Sequence, residues 1–584
     1  MTIRPVRAGS APPCAEDGAV TSPIKEPAHV ATANDTASQH HEWWRDAVIY
    51  QVYPRSFADG DGDGVGDLAG VRQHLPYLAE LGVDALWFSP WYASPQADAG
   101  YDVADYRRID PMFGDLSEAG ALIAEAHELG LRIVVDIVPN HVSDQHAWFR
   151  EAREAGPGAE ARDLFWFRPG RGTDGELPPN EWQSVFGGPA WTRTANPDGT
   201  PGEWYLHLFA PEQPDLNWNN PKVREEHESV LRFWFDLGAD GVRIDSATMP
   251  AKDPELPDFD PASPPVPHPY IDRDDVHSIY RAWREVAAAY SPPRALIGEV
   301  WLADPVRFAH YLRPDEMHTA FNFDYLNSPW DPAALRSVID ATFDAHASVG
   351  AAPTWVLSNH DVTRHVTRYG RADSSYGHAL RQHGTSTDLA LGTRRARAAL
   401  LLALALPGGH YIYQGEELGL WEVEDIPAER RQDPIFHRTG GTDIGRDGCR
   451  VPLPWSGQEP PFGFSPAGAS APPWLPQPAD WADHTAEAQD GRADSMLGFY
   501  RTALAGRRAE QGLHNEEFTW LHSDDPGVLA FERGDGFVCV ANLSAAPAAL
   551  PADTEVVLAS GPEVDVTARV LPPDTSVWLR RVRG

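Results

Sequence analysis

The sequence predicts an α/β fold. The core is a (β/α)8 TIM barrel, with an excursion domain after its third strand and an antiparallel β domain at its C-terminal end. Three observations predict this. Short apolar runs alternate with stretches of helical period from residue 43 to about 513, giving eight strands. The run 131–140 (LRIVVDIVPN) is apolar on both faces, as a parallel strand covered by helices is. The alternation breaks over 142–215, which is rich in Trp, Phe, Gly and Pro, shows no helical period and is too long for an ordinary connection.

Residues 1–42 hold Pro, Ala, Ser, Thr and charges without period and read as a disordered extension. Order begins at Trp43-Trp44-Arg45, and 48–54 (VIYQVYP) is the first strand. An acidic glycine loop follows at 59–67. Then Leu68, Val71, Leu75, Leu78 and Leu81 recur at three and four, predicting a helix over 68–82. Residues 84–90 (DALWFSP) are the second strand, Ser117 caps a helix running to Gly130, and 131–140 is the third strand. After the excursion, helix 222–237 leads to strand 240–245, whose apolar Val242 and Ile244 alternate with Arg243 and Asp245. A Pro- and Asp-rich loop spans 250–275. Helix 275–290 precedes strand 295–301 (ALIGEVW), and 318–322 and 354–359 (TWVLSN) are the sixth and seventh strands. Helix 393–406 leads to the eighth strand, 410–414 (HYIYQ), and helix 495–511 closes the barrel. Short alternating strands at 528–532, 537–543, 555–559 and 575–580 then predict a β domain. The domains are therefore 43–141 with 216–513 (barrel), 142–215 (excursion) and 514–584 (C-terminal).

A chain of 584 residues with a formal charge of −37 repels nucleic acid and anionic membrane surfaces, and suits a neutral substrate. Cys14, Cys449 and Cys539 are far apart and odd in number, so neither a disulfide framework nor a zinc site is indicated. The chain shows no apolar core of a secretion signal, and no run approaches the ~18 apolar residues of a membrane span. A cytoplasmic protein is expected, monomer or dimer.

Two groups of residues carry chemistry. In the loop Asp59-Gly-Asp61-Gly-Asp63-Gly-Val65-Gly-Asp67, carboxylates alternate with glycines, as hard oxygen ligands around one divalent cation do. Val65 offers its carbonyl. The expectation is a structural Ca2+, or Mg2+, and no organic cofactor; an acidic, solvated glycine turn is the alternative. The second group gathers at C-terminal strand ends, where a barrel puts catalysis. Strand three ends in Asn140-His141, strand four in Arg243 and Asp245, strand five at Glu299, and strand seven in Asn359-His360-Asp361. A guanidinium two residues before Asp245 keeps that carboxylate ionised and aims it, as a nucleophile requires. Glu299 lies in an apolar strand and is the better proton donor. Asp361 can bond sugar hydroxyls and steady a cationic transition state. Two carboxylates flanking a glycosidic bond can break it.

GVRID, IGEVW, SNHDVTR and VVDIVPNH resemble the four signature regions of glycoside hydrolase family 13, the α-amylase family. The resemblance runs from about Trp43 to the C-terminus. QPDLNWNNP (213–221) and GRDGCR (445–450) are similar to the α-glucosidase / oligo-1,6-glucosidase branch, and IGEVWLADP and HTAFNFDYL to actinobacterial α-1,4-glucosidases. The resemblance implies Asp245 as nucleophile, Glu299 as general acid/base and Asp361 as transition-state stabiliser, with retention of the α configuration through a covalent glucosyl-enzyme. It implies a closed pocket for one terminal glucose of a small oligosaccharide. Asp98 and Arg450 would hold its 4-hydroxyl side, Tyr101 would stack on it, and His141, Arg243 and His360 would bond its hydroxyls. Phe186 and Arg446 would border the pocket toward the leaving group. Asp59, Asp61, Asp63, Val65 and Asp67 match the branch's calcium loop. In this branch a Val after the nucleophile goes with α-1,6 linkages; here Ser246-Ala247-Thr248 follows, and the small side chains leave room for an α-1,4-linked second sugar. An exo-α-glucosidase acting on substrates such as maltose is expected. An α-1,6-glucosidase, an α-glucosyl transferase or sucrose-active enzyme, and a non-catalytic barrel that binds partners are the alternatives.

Overall fold

β1 (Val48–Val52), β2 (Ala85–Phe88), β3 (Arg132–Ile137), β4 (Gly241–Ile244), β5 (Ala295–Gly298), β6 (Thr319–Ala320), β7 (Thr354–Val356) and β8 (Gly409–Tyr413) form one parallel sheet in the order β6-β5-β4-β3-β2-β1-β8-β7. This computed structural model describes residues 42–582 apart from Pro197, 378–380, 563, 565, 566 and 568. The disordered stretch expected over 1–42 lies outside the described residues up to 41. At the two ends of the sheet, the Thr354 hydroxyl of β7 donates to the Ala320 carbonyl of β6. Side chains alternate between the inside of the barrel and the helix layer around it. Ile49, Trp87, Val134, Ile297, Val356 and Tyr411 form one buried cluster inside it. Their sequence neighbours Tyr50, Leu86, Val135 and Leu296 belong to the larger cluster under the helices.

The predicted elements are present, with local differences. Strands stop one to three residues short of the C-terminal ends of the expected runs. The helix expected over 68–82 is two, Leu68–Gln73 and Leu75–Leu81, broken at His74. Pro76 has no N–H for the preceding turn. Ser117 is not the cap of the next helix. Asp115 is, in a capping box with Glu118, and the helix starts at Leu116. The helix before β8 starts at Leu389 rather than 393, capped by Asp388.

The excursion holds a three-stranded antiparallel sheet with Pro201–Leu206 between Phe167–Arg168 and Trp191–Ala195. It also holds a helix, Ala147–Ala155, whose nine residues are too few for a period to register. The loop at 250–275 is fastened to it: the Trp182 indole donates to the Pro257 carbonyl at 2.9 Å and the Asn180 amide to that of Leu256 at 3.0 Å. At the C-terminal end a five-stranded antiparallel sheet is pinned to the barrel helix Leu389–Ala405 by the Trp578 indole, which donates to the Leu401 carbonyl at 2.9 Å. Among the described residues no helix is long and apolar enough to cross a membrane.

Candidate active site

Arg243 is the centre of the site. Its neighbours Val242 and Ile244 pack outward, so its own side chain points into the barrel, 5.1 Å from the Trp87 ring and 6.0 Å from that of Phe321. Asp245 follows two residues on, just past β4, and comes out on the same face. Arg243 Nη1 donates to Asp245 Oδ1 at 2.8 Å and to both oxygens of Asp136 at 3.0 Å. Nη2 lies 2.7 Å from Glu299 Oε2. One planar fork therefore grips Asp245 and Glu299 on neighbouring nitrogens, which bounds the separation of those two oxygens at about 8 Å. Asp245 and Glu299 keep 8 % exposure each, and border reachable space; the Asp136 side chain has none.

Three carboxyls on one guanidinium leave excess negative charge in an apolar interior, and a proton held by the group relieves it. Burial pushes Asp136 up to about 7 against the pull of Arg243. Burial, then the charge of Glu299, pushes Asp245 well above the usual carboxylate range. Arg243 pairs with Asp245 as expected, but the guanidinium is divided among three acids, so its pull on any one of them is weaker than that of a cation serving one carboxylate. Glu299 is held by donors on both oxygens. Oε2 accepts from the Ser246 N–H at 2.8 Å, and Oε1 from the Trp301 indole at 2.9 Å. Trp301 is itself fixed by a parallel stack on Phe323, centroids 3.6 Å apart. Ser246 has φ +45°, a left-handed conformation for a residue with a side chain, and this turn aims its N–H at Glu299.

Asp361 belongs to a second arginine-centred group. Its Oδ1 accepts from Arg446 Nη1 at 3.0 Å and Arg450 Nη2 at 2.9 Å, and His360 Nε2 is 3.3 Å from Oδ2. Burial opposes its charge, but Arg446 and Arg450 hold it far below the usual range. Arg446 also donates to Asp98 Oδ1 at 2.7 Å, with its guanidinium carbon 5.0 Å from the Phe186 ring. Asp98 thus meets Arg446 rather than Arg450, which sits under Asp361 and donates from Nε to the His360 carbonyl at 2.8 Å. Tyr101 lies parallel to His360, 5.3 Å between centroids, and its hydroxyl donates to Asp136 at 3.2 Å. Burial pushes His141 and His360 each down to about 3, so both rings are neutral near pH 7. His141 Nε2 lies 3.2 Å from the Tyr101 carbonyl and 3.0 Å from Gln213 Nε2.

Four participants escaped the sequence reading: Asp136, Lys252, Trp301 and Asp433. Asp136 has a legible signal, an acid inside an apolar run, which needs a buried partner. Lys252, buried seven residues after Asp245, pairs with Asp215 at 2.8 Å and donates to Asn140 at 2.5 Å. It ties the entry of the excursion to its exit. No local pattern gives that contact away. Asp433 precedes Pro434 and reads from sequence only as a helix cap.

In the glycine loop, ligand-type oxygens of Asp59, Asp61 and Asp67 lie within 4.8 Å of one another, a hard donor set that fits a divalent cation. Asp63 stands outside this group, its carboxylate accepting the Val65 N–H at 2.8 Å. Asp67 also caps the helix that follows, accepting from Gly70 N at 2.6 Å.

Comparison with known proteins places this arrangement. The family model "Alpha amylase, catalytic domain" matches residues 51–516, and a domain of unknown function (DUF3459) matches 517–578. A probable alpha-glucosidase of Rhizobium meliloti (strain 1021) is 38% identical over 88% of this chain and 92% of its own length. An oligo-1,6-glucosidase of Parageobacillus thermoglucosidasius is 34% identical over 84% and 88%. The crystal structure of isomaltulose synthase from Erwinia rhapontici NX5 superposes with a TM-score of 0.80 at 29% identity, covering 92% of this chain and 99% of that one. With a barrel of this topology and carboxyl groups gathered at its strand ends, the chain belongs to the α-amylase family, glycoside hydrolase family 13, and is a glycoside hydrolase.

Proposed function

We propose that the protein is a retaining exo-α-glucosidase that releases terminal glucose from short α-1,4-linked oligosaccharides such as maltose. One observation carries the reading: Asp245 and Glu299 share a single guanidinium fork, while a third acid, Asp361, is held ionised by two other arginines. The bound of about 8 Å excludes the widest separations of an inverting pair, and a retaining pair needs about 5–5.5 Å. Asp245 attacks the anomeric carbon, and the aglycone oxygen takes a proton from Glu299. Water, deprotonated by Glu299, then attacks the glucosyl-enzyme at the same carbon and frees Asp245. Asp245 must be ionised to attack and Glu299 protonated to donate, so when the sugar reacts the proton shared by the pair is on Glu299. Asp361 stabilises the cationic ring. Asp98, Arg450, His141, Arg243 and His360 bond glucose hydroxyls, Tyr101 stacks on the ring, and Phe186 and Arg446 border the leaving-group side.

The proposed linkage rests on the small Ser246 and Ala247. The oligo-1,6-glucosidase and isomaltulose synthase relatives favour a second reading, α-1,6 cleavage or transfer of glucose to a sugar hydroxyl. Initial rates on maltose, isomaltose and sucrose, with product analysis at high sugar concentration, separate the two; isomaltose cleaved faster than maltose refutes the α-1,4 assignment. Asp245→Asn, checked for native folding, is expected to lose at least about 10³-fold in turnover of 4-nitrophenyl α-glucoside. Near-native activity removes Asp245 from its role.

We also propose a cytoplasmic protein with a structural Ca2+, or Mg2+, at Asp59, Asp61 and Asp67, with Asp63 and the Val65 carbonyl as further ligands. When bound, the ion neutralises the converging carboxylates and stiffens the loop.

A further inference from the structure

Asp433 has no assigned part in the reaction, yet its surroundings differ from those of a simple helix cap. It caps the short helix Pro434–Arg438 with one oxygen, Oδ1 accepting from Ile435 N at 2.9 Å. The cap accounts for that contact alone. Asp433 Oδ2 accepts from the Arg446 backbone N–H at 2.6 Å and from its Nε at 2.7 Å, and Oδ1 takes a further bond from Nη2 at 3.2 Å. The acid thus holds one edge of the guanidinium and the backbone that carries it. Its own backbone is fixed in turn, since Asp447 Oδ2 accepts from the N–H groups of Gln432 at 2.8 Å and Asp433 at 3.2 Å. The close approach needs a glycine before Arg446. Gly445 has φ +73°, and a Cβ there would lie 2.8 Å from Asp433 Cβ.

With that edge occupied, Arg446 has N–H groups left on the other side. Nη1 donates to Asp361 and Nη2 to Asp98. Exposure follows the same direction: the Asp433 side chain is 0% exposed, Arg446 8% and Asp361 17%. The closed end is an anchor, and the open end faces the site. Arg243 is built the same way, with Asp136 closed off behind it and Asp245 and Glu299 in front.

We propose that Asp433 is a positioning residue for sugar binding: it fixes Arg446 as a bridge between Asp98 and Asp361, and so sets the spacing of the two carboxylates that grip a terminal sugar. This rests on reading Asp98 and Asp361 as sugar-facing groups. Removing the anchor frees the guanidinium to turn fully onto one acid, which leaves the other misplaced. Affinity for the sugar suffers, and turnover with it where Asp361 is the acid displaced; Asp245 and Glu299 are not touched.

The test compares the full-length native chain with Asp433→Asn and Asp433→Glu, using 4-nitrophenyl α-glucoside turnover and calorimetric titration with glucose. An inactive native chain speaks against the proposed function and leaves the anchor to be read from glucose binding alone. In Asp433→Asn, KM and the glucose Kd are expected to rise about tenfold or more, the scale of a lost charge-assisted hydrogen bond. kcat should fall as well where Asp361 is the acid displaced, and Asp433→Glu should lie between native and Asp433→Asn in Kd. Arg446→Lys should raise KM similarly, and combining it with Asp433→Asn should add little further. KM and Kd within twofold of native, with or without lower kcat, overturn the proposal. Loss of folded protein in both Asp433 variants also overturns it, by making Asp433 a folding residue.

Discussion

Asp136→Asn is the sharpest perturbation of the Arg243 group, because Asp136 lies behind the reacting atoms rather than among them. Its carboxylate accepts from Arg243 Nη1 on both oxygens at 3.0 Å, and from the Trp87 indole and the Tyr101 hydroxyl on Oδ2 at 3.2 Å each. An amide has one acceptor oxygen. Its Nδ2 would face donors whichever way it turns. The loss is a charge-assisted bond of about 1.5–3 kcal/mol plus a misplaced buried N–H, together about 3 kcal/mol in the placement of Arg243. At about 1.4 kcal/mol per tenfold, kcat/KM should fall about 10²-fold. The same change removes one of the charges that pushes Asp245 up. The acid limb of the kcat/KM profile should therefore move to lower pH even as the plateau falls. Stopped assays with 4-nitrophenyl α-glucoside from pH 4 to 8, with circular dichroism to check folding, read both quantities. A kcat/KM within threefold of native with an unmoved acid limb refutes the shared-guanidinium account.

Two further predictions concern the frame around the site. Chelation should lower the melting temperature of the native chain if the aspartate loop holds Ca2+, since an ion at about 100 times its Kd contributes about 2.7 kcal/mol; Asp59→Asn should abolish the chelator effect, and a native chain indifferent to chelator argues against the ion. His227 is buried against Trp218 and Trp283, and burial pushes it down to about 4. Its folded pKa lies below the unfolded value of about 6.5, so stability is whole above that value and is lost as pH falls toward 4, by up to about 1.4 kcal/mol per pH unit. His227→Gln should narrow the drop in melting temperature between pH 7 and pH 5, measured by scanning calorimetry; an unchanged drop removes His227 from the acid response.

Much of the site was legible because strand-end chemistry leaves local traces. Arg243 and Asp245 stand two apart on an alternating strand, which puts both on one face whatever the rest of the chain does. Glu299 and Asp361 close their own apolar runs. Helix limits were less legible where caps compete. Asp115 and Ser117 both suit the N-cap, and Glu118, three residues after Asp115, decides between them through the capping box. The Pro76 break was readable in principle, since a ring without an N–H interrupts any helix it enters.

The sequence by itself determined the barrel, the excursion and the acids at the strand ends, because side-chain periodicity and residue chemistry act over a few neighbouring positions. Only the tertiary structure decided how the charges are shared. Arg243 meets acids from β3, beyond β4 and beyond β5, and Arg446 joins residues 98, 361 and 433. Such contacts span up to 348 positions and depend on the closing of the barrel. A buried carboxyl's protonation is set by all the charges around it, and those charges come from parts of the chain that no local pattern relates.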